Sequence, residues 1–84
     1  MNVYLVRYFY EDDTRLDDVK DKFWIFETYD SAKRFFEVRK DMLERKVRNE
    51  TEDTMVRFEK RNYIHLDVCH ILHYTLFLQR KTLL

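Results

Sequence analysis

Cysteine and histidine side chains cluster in the last third of the chain: Cys69, His70 and His73, with His65 nearby. Zinc binds thiolate and imidazole ligands, and on a helix Cys69 and His73 would share one face. On a strand, two residues four positions apart are separated by roughly 13 Å and cannot bind the same ion. Because no CxxC or HExxH pair accompanies them, we expect no metal site and no cofactor. A small buried cysteine beside partly exposed histidines is the simpler interpretation.

A cysteine–histidine nucleophile is not expected either. Such catalysis needs a thiol of lowered pKa and hydrogen-bond donors aimed at an oxyanion, and no pattern in the sequence marks them. Ser31 is the only serine and lies at a predicted helix start, where capping is its ordinary role. The sequence has no glycine, which excludes phosphate-binding loops, dinucleotide fingerprints, glycine-centred nucleophile elbows and EF-hand loops. We therefore predict that the protein is not an enzyme.

The chain of 84 residues has the size of one domain, which we assign to residues 1–84. Its 16 basic and 16 acidic side chains give a formal charge of zero, so no global field attracts nucleic acid or an anionic membrane. Aromatic residues make up 17% of the sequence, which is typical of a chain that folds. A lone cysteine and the absence of a signal-peptide pattern at the N-terminus lead us to expect a cytoplasmic protein.

Two strands and a helix are predicted in the first fifty residues. Residues 2–10 are rich in β-branched and aromatic side chains, which predicts a strand with two largely apolar faces. Residues 11–22 form an acidic connector, and residues 23–29 predict a second strand that pairs with the first as a hairpin. Apolar residues at three- and four-residue spacing predict a helix over residues 30–49, with Asp30 as its N-cap.

The segment after the helix is less uniform. Residues 55–58 predict a short third strand, and residues 60–62 predict a turn. From residue 63 onward, apolar residues of one parity fit a long or bulged strand, although one face of a helix also fits over residues 69–80; β-branched and aromatic content favours the strand. The predicted fold is therefore α+β, a small antiparallel sheet in ββαββ order with one main amphipathic helix packed on one face.

A single helix covers one face of such a sheet, so we expect several tyrosines to be exposed on the other. Exposed aromatic patches mark interaction sites, and tyrosine is frequent in interface hot spots. The acidic connector can be a solvated loop, a cation site, or a docking element that occupies the basic groove of a partner as nucleic acid would. We predict a partner-binding site in which acids steer a basic surface and two tyrosines anchor it. Its residues are Asp12, Asp13, Asp17, Asp18, Tyr8 and Tyr10.

These features together predict a non-catalytic module that binds a protein partner by steric occlusion. In length and composition the chain resembles the small accessory proteins of bacteriophages and mobile elements. This resemblance implies inhibition or modulation of a host protein in the host cytoplasm, such as a component of a defence system. One alternative is a structural homodimer that pairs through the aromatic sheet face. The main alternative is a small nucleic-acid-binding regulator that uses Arg34, Lys40, Arg45, Arg48, Arg57 and Arg61.

Overall fold

The computed structural model describes residues 1–50, 55–69 and 71–82, which form a five-stranded sheet and one helix. The elements in chain order are β1 (Asn2–Asp12), β2 (Arg15–Phe26), α1 (Tyr29–Glu50), β3 (Met55–Lys60), β4 (Tyr63–Val68) and β5 (Leu72–Thr82). Every pairing is antiparallel, and the strands lie side by side in the order β2-β1-β5-β4-β3. Strands β2 and β3 are therefore the two edges of the sheet.

Strand β1 lies inside the sheet because both of its faces are apolar, as its sequence predicts. Val6 is opposite Trp24 on one side and Leu78 on the other, and it is fully buried under the helix. The next residue but one, Tyr8, is opposite Leu76 and belongs to the same face. Residues of the other parity point away from the helix and form the second face.

Helix α1 packs on the sheet through an apolar stripe at three- and four-residue spacing. Ala32, Phe36, Leu43 and Val47 are buried there against the side chains of the central strands. The prediction of a helix over residues 30–49 is confirmed. In the part of the chain that the structure describes, no helix combines the length and the apolar character that crossing a membrane requires.

Helix α1 begins at Tyr29, one residue before the start of the predicted range 30–49. The Thr28 hydroxyl accepts a hydrogen bond from the backbone N–H of Ser31 at 3.2 Å, and the Thr28 carbonyl accepts one from Ala32 at 3.2 Å. Thr28 is therefore the N-cap, and the prediction that Asp30 has this role is wrong. Asp30 lies in the first turn, where its charge complements the helix dipole.

The predicted α+β class, with an antiparallel sheet and one helix, is confirmed, but the order is ββαβββ and not ββαββ. Two local predictions are wrong, and the second of them accounts for the additional strand. Residues 11–22 are not a connecting loop, because β1 and β2 run through them and meet at a short turn after Asp12. The segment from residue 63 onward is not one long strand, because β4 and β5 fold back on each other after Val68, where the Ile71 N–H donates a hydrogen bond to the Val68 carbonyl at 3.0 Å.

Both turns of the C-terminal half use a non-glycine residue in the left-handed region. Asn62 has a φ of 63° between β3 and β4, and Cys69 has a φ of 54° between β4 and β5. Asparagine tolerates this conformation well, whereas most other residues pay a steric cost. The absence of glycine thus made Asn62 predictable as a turn residue and hid the turn at Cys69.

Candidate interaction surface

The face of the sheet opposite α1, here called the open face, carries the second apolar set of strand residues. Residues in direct cross-strand register share a face, so Leu5 lies there with its partner Ile25, and Phe77 lies there with its partner Tyr63. The apolar members of the open face are Val3, Leu5, Phe9, Val19, Phe23, Ile25, Val56, Phe58, Tyr63 and Phe77.

Several of these side chains are exposed to a degree that is unusual for large apolar groups. Phe23 is 62% exposed, Ile25 60% and Phe58 51%. Phe23 and Ile25 border a depression of about 440 Å³ whose floor includes Val3 and Leu5. Large apolar side chains grouped on one face differ from the singly scattered exposed leucines and valines of ordinary surfaces, and exposed apolar patches are frequent at interaction sites.

One charged pair lies inside this apolar region and is satisfied internally. Arg7 and Asp21 form a two-pronged ion pair, in which the guanidinium Nε donates to Asp21 Oδ1 at 3.0 Å and a second nitrogen donates to Oδ2. The hydrogen bond from Arg7 lowers the pKa of the Asp21 carboxyl, and it raises that of the guanidinium. The pair therefore remains ionised and mutually compensated when the surface around it loses water.

A chain of hydrogen bonds, here called the histidine network, lies at the end of the open face near the β4–β5 turn. His73 is the cross-strand partner of Asp67, and Thr75 is that of His65. Asp67 Oδ1 is 2.6 Å from His65 Nε2 and 2.6 Å from His73 Nδ1. The other ring nitrogens also have hydrogen-bond partners. His65 Nδ1 is 2.8 Å from Thr75 Oγ1, and His73 Nε2 is 2.8 Å from Asp13 Oδ2.

The two carboxylates on either side of His73 favour its charged form. The hydrogen bond to Asp13 and then that to Asp67 raise the pKa of the His73 imidazole. Burial opposes ionisation of Asp67, but the hydrogen bonds from His73 and His65 together lower the pKa of its carboxyl. The network can therefore hold a proton between two acids, and its ligand types are also those of a transition-metal site.

Sequence reasoning missed this network because it compared residues four apart along one element. The helical alternative for residues 69–80 is wrong, so Cys69 and His73 do not share a helix face. Cys69 is exposed in the turn, which corrects the expectation of a buried cysteine, and His70 lies outside the described residues. The signal that was available is the hairpin, because a reversal of the chain after Val68 places Asp67 opposite His73.

Tyr63 lies on the open face, but the three tyrosines of β1 lie on the helix side. Tyr4, Tyr8 and Tyr10 are half-buried and pack against the core, and Tyr10 lies 4.9 Å from the ring of Tyr74. The expectation of an exposed tyrosine face is therefore wrong, because phenylalanine and isoleucine occupy most of that surface. Whether Tyr8 and Tyr10 anchor a partner stays a prediction, and both retain partial exposure.

The four predicted acids have different environments. Asp12 is buried and accepts hydrogen bonds from the backbone N–H of Thr14 at 2.9 Å and from its hydroxyl at 2.6 Å, so it shapes the β1–β2 turn. The bond from the Thr14 hydroxyl lowers the pKa of the Asp12 carboxyl. Asp13 is exposed and belongs to the histidine network, Asp17 is exposed on β2, and Asp18 is half-buried. Asp13, Asp17 and Asp18 are thus better placed than Asp12 to meet a partner.

Half of the basic side chains in the nucleic-acid alternative are ion-paired. Lys40 contacts Glu59 at 2.9 Å, and Arg57 contacts Glu44 at 2.7 Å; these two pairs link α1 to β3. Glu44 also lies 4.0 Å from Arg48 within α1. The acidic partners offset the positive charge of that side. Arg34, Arg45 and Arg61 are exposed.

A different set of cations borders a cavity of about 300 Å³ between α1 and the β2 side of the sheet. Lys22, Arg39 and Lys46 line it together with Tyr8 and Trp24. The Arg39 guanidinium stacks on the Trp24 ring at 4.9 Å, which preorganises one wall. This combination of cations and aromatic walls can hold an anionic group.

Comparison with known proteins adds no assignment to this geometry. No protein-family model, no curated protein and no solved structure matches the chain.

Proposed function

We propose that the protein is a non-catalytic module that binds a protein partner through the open face. The observation that carries this proposal is the exposure of Phe23, Ile25 and Phe58 on one side of a sheet whose other side is covered by α1. Covering apolar surface contributes roughly 25 cal/mol per Å², so a face of this kind gains free energy when a complementary surface displaces its water.

The polar groups of the open face favour the same function. Burying a charge is costly unless it is paired and hydrogen-bonded. Arg7 and Asp21 satisfy each other, and both ring nitrogens of His65 and of His73 have partners within the histidine network. A partner can therefore cover this face without supplying a counter-charge for each ionised group.

The expected mode of action is steric occlusion of a host protein. The resemblance in length and composition to accessory proteins of bacteriophages and mobile elements suggests such a partner, with a defence-system component as one example. In this scheme the exposed acids Asp13 and Asp17 steer the approach of a basic rim, and the phenylalanines of the open face are buried at its centre.

A site-specific crosslinking experiment tests which face binds. The photoreactive residue p-benzoylphenylalanine replaces Phe23 or Phe58 on the open face, or Val38 on the outer side of α1. Val38 is the matched control, because it is apolar and 59% exposed but lies on the opposite side of the molecule. We expect the same partner to be crosslinked from Phe23 and Phe58, and not from Val38.

The same experiment separates the alternatives. A crosslinked product of twice the chain mass from both open-face positions, with a monomer–dimer equilibrium in sedimentation, would replace this proposal by the homodimer. Equal crosslinking from Val38 and Phe23 would contradict the assignment of the open face. Binding is then confirmed with the purified partner, and Phe23→Ser is expected to weaken it at least tenfold, since truncation of a hot-spot anchor costs about 2 kcal/mol or more.

The cavity beside Trp24 favours a second candidate function, binding of nucleic acid. Lys22, Arg39 and Lys46 are not part of the ion-pair group between α1 and β3, and an aromatic wall next to cations suits a stacked base beside a phosphate. Fluorescence anisotropy with single-stranded and duplex DNA and RNA tests it. Affinity that falls steeply between 50 and about 200 mM salt and drops in Arg39→Gln would support this candidate. No binding to any of these probes at physiological salt would eliminate it.

A further inference from the structure

We infer that His65, Asp67 and His73 form a binding site for a divalent transition-metal ion of the zinc type. One ligand atom from each residue, His65 Nε2, Asp67 Oδ1 and His73 Nδ1, belongs to a group whose members all lie within 4.8 Å of one another. The inference is independent of the proposed function, because it rests on these three side chains and not on a partner.

The hairpin between β4 and β5 supplies the geometry. Asp67 and His73 are direct cross-strand partners, and His65 lies two residues before Asp67 on the same strand and the same face. Three side chains on a hydrogen-bonded hairpin are held in position by the backbone, so the ligands are assembled before the ion arrives. The site is half-buried and reachable, since the three side chains retain between 25% and 28% of their exposure.

The outer contacts of the two histidines are those that metal-binding histidines need. A ligating imidazole almost always donates its second N–H to a carboxylate or another acceptor, which orients the ring and raises its basicity. His73 Nε2 faces Asp13 Oδ2 at 2.8 Å, and His65 Nδ1 faces Thr75 Oγ1 at 2.8 Å. The Thr75 hydroxyl can donate or accept, so it supports the His65 tautomer that leaves Nε2 free for a metal.

Ion binding requires only a small outward movement of the rings. The two nitrogens are 2.6 Å from Asp67 Oδ1, which is a hydrogen-bond distance. With zinc–ligand bonds of about 2.0–2.1 Å in tetrahedral geometry, neighbouring ligand atoms lie roughly 3.3 Å apart. Each nitrogen must therefore move away from Asp67 Oδ1 by less than about 1 Å. The ligand atoms of the two histidines, which lie within 4.8 Å of each other, must also reach this separation, and the ion then takes the place of the protons between these atoms.

The donor set also selects the class of ion. Two imidazoles and one carboxylate suit zinc, nickel, copper or iron, whereas magnesium and calcium prefer oxygen ligands throughout. Three protein ligands leave a fourth position for water or for a donor from a bound partner. Because the site lies at the end of the open face, that fourth position is directed to the same side as the proposed interface.

Titration calorimetry of the purified full chain with Zn²⁺ tests the site, with Mg²⁺ as the comparison ion. We expect saturable binding of one Zn²⁺ per chain and none of Mg²⁺. His65→Gln and His73→Gln should each abolish saturable Zn²⁺ binding. Asp13→Asn removes only the outer contact and should weaken binding by about 10- to 100-fold. Asp21→Asn, which changes another carboxylate of the open face, and Cys69→Ser should bind Zn²⁺ as the unaltered chain does.

A measurement on the unaltered chain keeps the inference falsifiable if a variant fails to fold. Long-range ¹H–¹⁵N spectra of the histidine rings should change at His65 Nε2 and His73 Nδ1 when one equivalent of Zn²⁺ is added. No stoichiometric Zn²⁺ binding, or ring signals that do not change on saturation, would overturn the site. Loss of binding in Cys69→Ser with retention in His65→Gln would also overturn it, because the thiol would then be the ligand.

Discussion

Truncating one phenylalanine of the core and one of the open face separates the two regions by their effect on the free energy of unfolding. Phe36 is 1% exposed on the side of α1 that packs against the sheet, whereas Phe23 is 62% exposed on β2. Phe36→Ala deletes a fully buried ring and leaves a cavity, which costs about 3–5 kcal/mol. Full burial of a phenylalanine side chain contributes about 1.5–3 kcal/mol to the free energy of unfolding. Because Phe23 is 62% exposed, the buried remainder of its surface contributes about 1 kcal/mol. The loss of β-propensity adds up to about 1 kcal/mol, less at an edge strand.

Equilibrium urea unfolding followed by tryptophan fluorescence and far-UV circular dichroism gives both free energies. A domain of this size has a total stability of about 4–13 kcal/mol, so Phe36→Ala is expected to lose a large share of it and to unfold at a much lower urea concentration, while Phe23→Ala keeps most of its stability. A loss above about 3 kcal/mol for Phe23→Ala would refute the reasoning, because the ring would then have to be covered in the folded protein. If that loss grew with protein concentration, the cover would be a second copy of the chain.

Two further predictions concern the links between the helix and the β3–β4 hairpin. Asn62 has a left-handed backbone and accepts a hydrogen bond from Lys33 Nζ at 2.7 Å. Asn62→Ala should lower the free energy of unfolding in urea by about 1–2 kcal/mol, and Asn62→Gly should lower it less, because glycine adopts this backbone without strain. Equal losses in the two variants would assign the effect to the side chain alone. The hydrogen bonds from Lys40 are the largest cause of the lowered pKa of the Glu37 and Glu59 carboxyls. The unfolded state therefore binds more protons, and the urea midpoint should fall as the pH drops below about 4.5, with a smaller drop in Lys40→Met; an unchanged pH dependence in that variant would contradict the assignment.

The helix and the central strand were predictable because their signals are local. Helix α1 is indicated by apolar side chains at helical spacing over residues 30–49, and β1 by a run of β-branched and aromatic residues over 2–10. Each pattern lies within one element and does not depend on residues that are distant in the chain. Pairing of 63–68 with 72–82 depends on a turn at Cys69, a residue type that rarely adopts a positive φ. Because the chain has no glycine, the strongest sequence signal of a tight turn is absent, and the sequence favours one long strand where the structure has β4 and β5.

The candidate sites follow from pairing and could not be derived from spacing along the chain. His65, Asp67 and His73 are neighbours only because β4 and β5 are antiparallel in one particular register. A shift of that register by one residue would place His73 on the opposite face of the sheet from His65 and Asp67. The sequence predicts exposed tyrosines opposite the helix, but parity within β1 places Tyr4, Tyr8 and Tyr10 on the helix side, and the exposed aromatic residues of the other face include Phe23 and Phe58.

The acidic stretch over residues 11–22 has a structural reason once it is seen as an edge strand. Unpaired N–H and C=O groups along an edge invite pairing with other chains, and natural sheets prevent this with charged side chains. Five of the twelve residues of β2 are Asp or Lys in the run Asp17-Asp18-Val19-Lys20-Asp21-Lys22, and the other edge, β3, carries Arg57, Glu59 and Lys60. Association through the edges is thus discouraged at both ends of the sheet, while Phe23, Ile25 and Phe58 remain exposed on its face. The same sequence protects its edges and leaves this face uncovered, which supports the proposal that a partner binds the open face and not an edge strand.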